Sequence, residues 1–404
     1  MATGSKSKLT AADVLRANGG VGPGFDALRL GLSVWVFTLH SMYIGRGVDP
    51  AIQFAANPLH RILLSPVLPM FFLVSGYLVA GSAIRTRAFS TFLLFRVFRI
   101  VPALAVEVAL SALLLGPWLT EKRLSDYFLD SLVYKYFLNI VGYAHFFLPG
   151  LFEKNPITVV NANLWTLKPE FYCYAFMSLM MLSGLIYKKM LTSIVALAVI
   201  FVTIIYAIFS HNMYNFLGLV NWKILLVTFV LGAAAYHWND WIVISTRNAI
   251  CALVFVVVGF LYTPVTIIGL LALVYIVVYI GAKRIYLPYF LRNGDYSYGI
   301  YLFGFPIQQT LIYFLPTEYR NGLIILTLGL PLTLIFAMIS WRFVERPALR
   351  LKSKFKVASK AGHQLAPDAR LQKPGVGDAV NSPDPATAEL GRKPSESAEI
   401  LRRV

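Results

Sequence analysis

The chain has 404 residues, of which 58% are hydrophobic and only 14% charged, with a formal net charge of +17. A soluble domain carries about 25% charged residues, so this composition excludes an ordinary soluble enzyme and indicates a polytopic membrane protein. The positive excess lies in short segments between apolar runs, a pattern that sets membrane topology and calls for no nucleic-acid partner.

Residues 1–24 are polar and Gly-rich, carry Lys6, Lys8 and Arg16, and read as a cytoplasmic N-terminal segment without a cleavable signal. Ten apolar runs follow, at about 25–44, 62–84, 100–119, 164–187, 190–209, 222–238, 248–262, 265–282, 296–315 and 322–344, each close to the length that crosses a bilayer as a helix. Pro264 separates the seventh from the eighth. The expected fold is all-α, with about ten transmembrane helices. The segment 85–99, with Arg85, Arg87, Arg96 and Arg99, reads as a basic amphipathic connector before the third span. Residues 120–163 form the longest connector, and its moderately apolar piece 132–152 reads as interfacial or re-entrant, with a true span as the alternative. The segments 85–99, 188–189, 247, 283–292 and 346–356 are basic and would share one side of a ten-span bundle. By the positive-inside rule that side, and both termini, are cytoplasmic. Residues 353–404, rich in Pro, Gly, Ala and Ser, read as a disordered cytoplasmic tail, so the membrane unit occupies 25–352. Cys173 and Cys251 both fall in apolar runs, and neither a disulfide nor a clustered metal site is expected.

Polar groups inside such runs are costly and are candidates for function. Arg29 and His40 lie in the first span, roughly 16 Å apart along a helix axis; the plain alternative is an arginine reaching the headgroups and a histidine bonded to a neighbouring helix. Asp26, one turn before Arg29, reads as a helix-start residue or its ion-pair partner. Arg96 and Arg99, one turn apart, suit a phosphate-bearing ligand, with topology flanking as the alternative. In NANLWTLKPEFYCY (161–174), Trp165 reads as an interfacial anchor, Pro169 bends the helix start, and Glu170 is an intramembrane carboxylate at a depth matching that of His40, with structural pairing to a buried cation as the alternative to a functional role. Close together, a carboxylate and an imidazole make an acid–base pair. In NGDYSYGIYLFGFPIQQ (293–309), Asp295 or Ser297 caps the ninth span, and Gln308 and Gln309 face substrate or another helix. Buried His, Glu and Arg also build proton-coupled or anion transporters, although no internal repeat of the transporter kind is visible.

Taken together these segments resemble the acyltransferase-3 family of integral membrane O-acyltransferases. Arg29 and His40 match its basic residue, ten intervening positions and histidine, and Arg96 and Arg99 match its Arg-x-x-Arg pair. FFLVSGYL (71–78), LWTLKPEFYCY, SYGIYLFGFP and FVERPALRLK (343–352) are similar to its second-span, Leu-Trp-Ser/Thr-Leu…Glu, Ser-Tyr-x-Ile-Tyr-Leu and Phe-Val-Glu-Lys-Pro segments. Two departures stand out. Gly304 occupies a position where many members have histidine, and Glu170 is a single acidic residue where many have two. The resemblance implies a bacterial-type inner-membrane enzyme that moves an acyl group, usually acetyl, from cytoplasmic acetyl-CoA to a hydroxyl of an extracytoplasmic glycan or glycolipid. It also implies His40 as base, Glu170 as its orienting partner, and Arg29, Arg96 and Arg99 as contacts for the CoA phosphates, with no metal.

Overall fold

The computed structural model describes residues 8–209, 220–262 and 265–351; the tail from 353 and the Pro264 break lie outside them. The described residues form helices and connecting loops, with no strand beyond an isolated bridge between Thr10 and Val243. Five helical runs are long and apolar enough to cross a membrane: Phe25–Ile44, Pro58–Thr86, Phe89–Leu119, Lys189–Tyr206 and Gly322–Leu351. The helices Trp222–His237, Thr246–Leu261 and Thr266–Ala282 are apolar but shorter, and Leu167–Leu182 and Ser297–Phe314 complete the bundle.

Small residues let these helices meet backbone to backbone, as is usual where lipid removes the hydrophobic drive for helix association. A Cβ added at Gly76 would fall on the Phe229 carbonyl, and one at Gly232 on that of Leu73. The Val67–Thr86 and Trp222–His237 helices therefore pack in direct contact at the centre. By contrast, the Lys189–Phe209 helix leaves Leu197, Phe201 and Ile208 exposed, as a helix facing lipid would.

Three local features depart from the sequence reading. The polar N-terminal segment contains a packed helix that its composition did not announce: Ala11–Ala17 is capped by Thr10 and Asp13, and Ala11 N donates to the Ile242 carbonyl at 2.8 Å. The segment 85–99 is not a connector. The chain turns at Arg87 and Ala88, and the next helix starts at Phe89 and continues through Leu110. Phe92 and Phe95 are buried on its core face, so a stretch that reads as basic and amphipathic is the first half of a long helix, with Arg96 and Arg99 two to three turns inside it.

The third departure concerns the long connector. Its apolar piece, 132–152, forms no spanning helix, in line with the interfacial or re-entrant reading: it begins with the short helices Ser131–Tyr136 and Phe137–Val141, with Val141 and Tyr143 exposed. The element that enters the bundle is the stretch after it. Asn155 Nδ2 donates to Gln309 Oε1 at 2.9 Å, Gln309 Nε2 to the Ile157 carbonyl at 2.7 Å, Asn161 Nδ2 to the Leu302 carbonyl at 2.9 Å, and Asn163 Nδ2 to the Tyr301 carbonyl at 2.6 Å. From Gln309 to Tyr301 the chain descends about 12 Å along the Ser297–Phe314 helix. Non-helical backbone at such depth persists only where protein groups satisfy it, and asparagine amides do so here.

Candidate active site

The descent of residues 155–166 decides where Glu170 lies. A helix starting at the outer boundary would hold Glu170 near the depth of His40. Because Leu167–Leu182 starts deep inside the bundle, Glu170 instead faces the arginines. Arg29, Arg96, Arg99 and Glu170 line one cavity of about 160 Å³, walled by Phe71, Ser75, Thr166, Tyr174, Tyr298 and Tyr301 among others. Tyr174 Oη donates to Glu170 Oε1 at 2.6 Å, and Tyr301 Oη lies 2.8 Å from Thr166 Oγ1. Of the five residues that the family resemblance implies for catalysis and donor binding, four are thus brought together, all but His40.

The three arginines are held differently. Asp295 Oδ2 bonds both Arg29 Nη1 at 2.7 Å and Arg99 Nη2 at 2.5 Å. Glu345 adds a contact to Arg99 Nη1 at 3.5 Å. Glu345 is 2% exposed and sits in a π-helical turn, Trp341–Glu345, a distortion that often marks functional positions; Ser340 Oγ donates to its other oxygen at 3.1 Å. Asp295 precedes the Ser297–Phe314 helix, and its Oδ1 accepts from Ser297 Oγ at 2.5 Å. Burial would raise its carboxyl, but the Arg29 and Arg99 guanidiniums and Ser297 hold it well below the usual carboxylate range. Arg96 is the exception. Among the described residues no carboxylate pairs with it within 4 Å; its guanidinium lies over the Phe92 and Tyr174 rings, 5.7 and 5.9 Å from their centroids, and its buried Nε has no hydrogen-bond partner.

His40 is not among the residues lining this cavity. Its ring is edge-on to Tyr43 and Phe305, with centroids 5.6 and 5.3 Å away, and no hydrogen bond joins it to Glu170 among the described residues. Phe305 lies one helical turn beyond Tyr301, which does line the cavity. His40 therefore packs against a residue one helical turn from the cavity wall. Gln308 bonds another helix, donating to the Phe37 carbonyl at 2.9 Å and Ser41 Oγ at 2.7 Å. Lys168 is exposed, 6.0 Å from the Tyr172 ring centroid. Cys173 is buried and Cys251 exposed, and both are free thiols.

Sequence reasoning missed a second buried carboxylate, Glu107, which is 1% exposed. Its Oε1 accepts from Ser111 Oγ at 3.0 Å and Asn161 Nδ2 at 2.9 Å, so Glu107 secures the descending connector. An acidic residue in mid-span was the available signal. Glu107 lies beside the Ser111–Leu115 π-helical turn, and its Oε2 has no partner.

Comparison with known proteins agrees with this arrangement. A family model described as an acyltransferase domain, that of the acyltransferase-3 family, matches residues 23–342. The chain is 25% identical over 348 residues to a protein named O-acetyl transferase from Shigella phage Sf6, covering 81% of this chain and 96% of that protein. It is also 25% identical over 361 residues to Nodulation protein 10 of Rhizobium leguminosarum bv. viciae, covering 81% of this chain and 94% of that one. No solved structure matches at a significant level. The match of the family model to most of the chain, including every residue of the arginine cavity, shows that this membrane protein belongs to the acyltransferase-3 family of acyltransferases.

Proposed function

We propose that the protein transfers an acetyl group from cytoplasmic acetyl-CoA to a hydroxyl of an extracytoplasmic or lipid-linked glycan, in a bacterial inner membrane crossed ten times with both termini cytoplasmic. The observation that carries this reading is the cavity at which Arg29, Arg96, Arg99 and Glu170 converge, in a chain related over most of its length to a protein named O-acetyl transferase. Buried guanidiniums are costly in a membrane unless they are paired or bind an anion. Arg29 and Arg99 have their carboxylates; Arg96 has a buried Nε still to satisfy. Arg96 is thus the member of the triad best suited to a phosphate, and Arg99 shapes the site around it.

The pantetheine arm would run from the arginines past Tyr298 and Tyr301 towards His40. There the imidazole takes the proton of the acceptor hydroxyl as its oxygen attacks the thioester carbonyl. The C–O bond forms, the C–S bond breaks, and the thiolate recovers the proton to leave as CoA thiol. Glu170, bonded by Tyr174 and turned to the arginines, acts on the donor side of the path and not as the partner of the imidazole.

The test compares surface and secreted glycans of cells carrying the parent protein or His40→Ala by mass spectrometry. The expected result is loss of an acetyl-sized increment in the variant at equal membrane abundance. Unchanged glycans with a well-expressed variant would remove His40 as base, and no acetyl difference between cells with and without the parent protein would remove the glycan reading.

A further inference from the structure

The arginine cavity, at about 160 Å³, is smaller than the 300–1,000 Å³ pockets that enclose ligands of nucleotide size. The bulky end of the donor must therefore rest elsewhere, within reach of that cavity. A second groove meets this need. It measures about 580 Å³, and its lining includes Arg284, Tyr286, Arg292, Asn293, Asp295 and Trp341. Asp295 belongs to its wall, and the same carboxylate bonds Arg29 and Arg99 of the cavity, so one side chain links the two spaces.

The lining of this groove has the chemistry of a nucleotide phosphate site. Arg284 is exposed, and among the described residues no carboxylate lies within 4 Å of it or of Arg292. Arg292 is fixed locally: its Nε donates to the Leu287 carbonyl and its guanidinium lies 5.9 Å from the Tyr286 ring centroid. That leaves its terminal nitrogens for an anion. Tyr286 is 76% exposed and presents a flat aromatic face, the kind on which bases stack. Trp341 Nε1 is a buried donor without a partner. Two carboxylates also line the groove, Asp26 and Asp295; the latter is committed to Arg29 and Arg99.

We infer that this groove holds the 3′-phosphorylated adenine nucleotide end of the acyl donor, with Arg284 and Arg292 on the phosphates and Tyr286 against the base. The inference rests on the donor reading above, and the test separates the two. Binding of acetyl-CoA, 3′-dephospho-acetyl-CoA and adenosine 3′,5′-bisphosphate is measured on the purified full-length protein, as the parent and as Arg284→Ala/Arg292→Ala. In the parent, removing the 3′-phosphate should weaken binding at least tenfold, and the free bisphosphate should compete with acetyl-CoA. In the double variant, acetyl-CoA should fall to the affinity of the dephospho form, with no further loss when the phosphate is removed.

Acetyl-CoA binding that is equal in parent and double variant would overturn the groove while leaving the donor reading intact. Failure of the parent to bind acetyl-CoA at all would overturn both. A variant that binds all three nucleotides normally but loses association with phosphatidylglycerol-containing vesicles would reassign the two arginines to lipid headgroups and also overturn the inference. Tyr286→Ala gives an independent reading, since it removes no charge: bisphosphate affinity should fall several-fold, and an unchanged value counts against stacking.

Discussion

Asp295→Asn isolates the carboxylate on which the site is assembled. The substitution keeps the shape of the side chain but withdraws the negative charge that neutralises Arg29 and Arg99. Removing one partner of a buried ion pair costs about 3–5 kcal/mol, because the surviving charge is left uncompensated. Asp295 is 16% exposed, Arg29 22% and Arg99 17%, so solvent screens part of this. Arg99 also keeps Glu345 at 3.5 Å. The lower end applies, about 3 kcal/mol, and it falls mainly on Arg29. The assay is reversible unfolding of the purified protein in mixed SDS–detergent micelles. A variant within about 0.5 kcal/mol of the parent would refute the reasoning, since that is the range of an ordinary surface change. Arg29→Met in the Asp295→Asn background should recover part of the loss, because it removes the orphaned cation. The pH dependence has a definite sign. The Asp295 carboxyl is held well below its usual range, so its stabilisation is complete above the unfolded value of about 3.9 and is lost only as pH falls below that towards the folded-state value. The gap between parent and variant should be constant from pH 8 to 5 and close only in stronger acid.

Lysine substitutions should separate the two arginines that the sequence presents as a pair. Arg96→Lys keeps the charge but loses the guanidinium fork, and it should weaken acetyl-CoA binding roughly tenfold with stability near that of the parent; Arg99→Lys should instead cost stability, about 1.5–3 kcal/mol for its charged hydrogen bonds. Equal affinity losses without a stability loss in either variant would show that both grip the donor. For topology, Asp126→Cys in the long connector should react with an impermeant thiol reagent in intact cells while a cysteine placed in the tail stays protected, and the opposite result would invert the orientation.

Much of the helical layout was legible because apolar run length is a local property. The first span was expected at 25–44 and the helix is Phe25–Ile44; the ninth was expected at about 296–315 and is Ser297–Phe314. Run length failed where polarity and helix are decoupled. Four arginines between 85 and 99 look like a loop, yet the turn is confined to Arg87 and Ala88, and Phe92 and Phe95 supply a buried face for the helix that carries Arg96 and Arg99. The membership of Arg29, Arg96, Arg99 and Glu170 in one site could be listed from spacing and resemblance. Their arrangement could not, because it depends on the depth of residue 170. That depth is set by Asn155, Asn161 and Asn163, whose amides pay for unwound backbone inside the bundle by bonding a helix about 140–150 positions later.

The pairing of Asp295 and Glu345 with the arginines was illegible for a related reason. Asp295 reads as a helix cap and Glu345 as part of a family-like terminal segment, while Asp295 lies 196 positions from Arg99 in the chain and Glu345 lies 246. Their presence changes what the arginine cluster can do. Asp295 pairs with both Arg29 and Arg99, and Glu345 adds a contact to Arg99, so part of the cluster's positive charge is offset before any ligand arrives. On the proposed donor reading, attraction from a distance would then draw also on charges outside the cluster, where Arg284 and Arg292 line the groove that Asp295 also lines. On the donor reading proposed above, long-range capture and local grip would be divided between two places: the exposed pair would draw the phosphates in, and the unsatisfied Nε of Arg96 would offer a bond once they have lost their water. Such a division predicts that raising ionic strength slows donor association far more than it speeds dissociation, because salt screens the exposed arginines and hardly reaches the buried one.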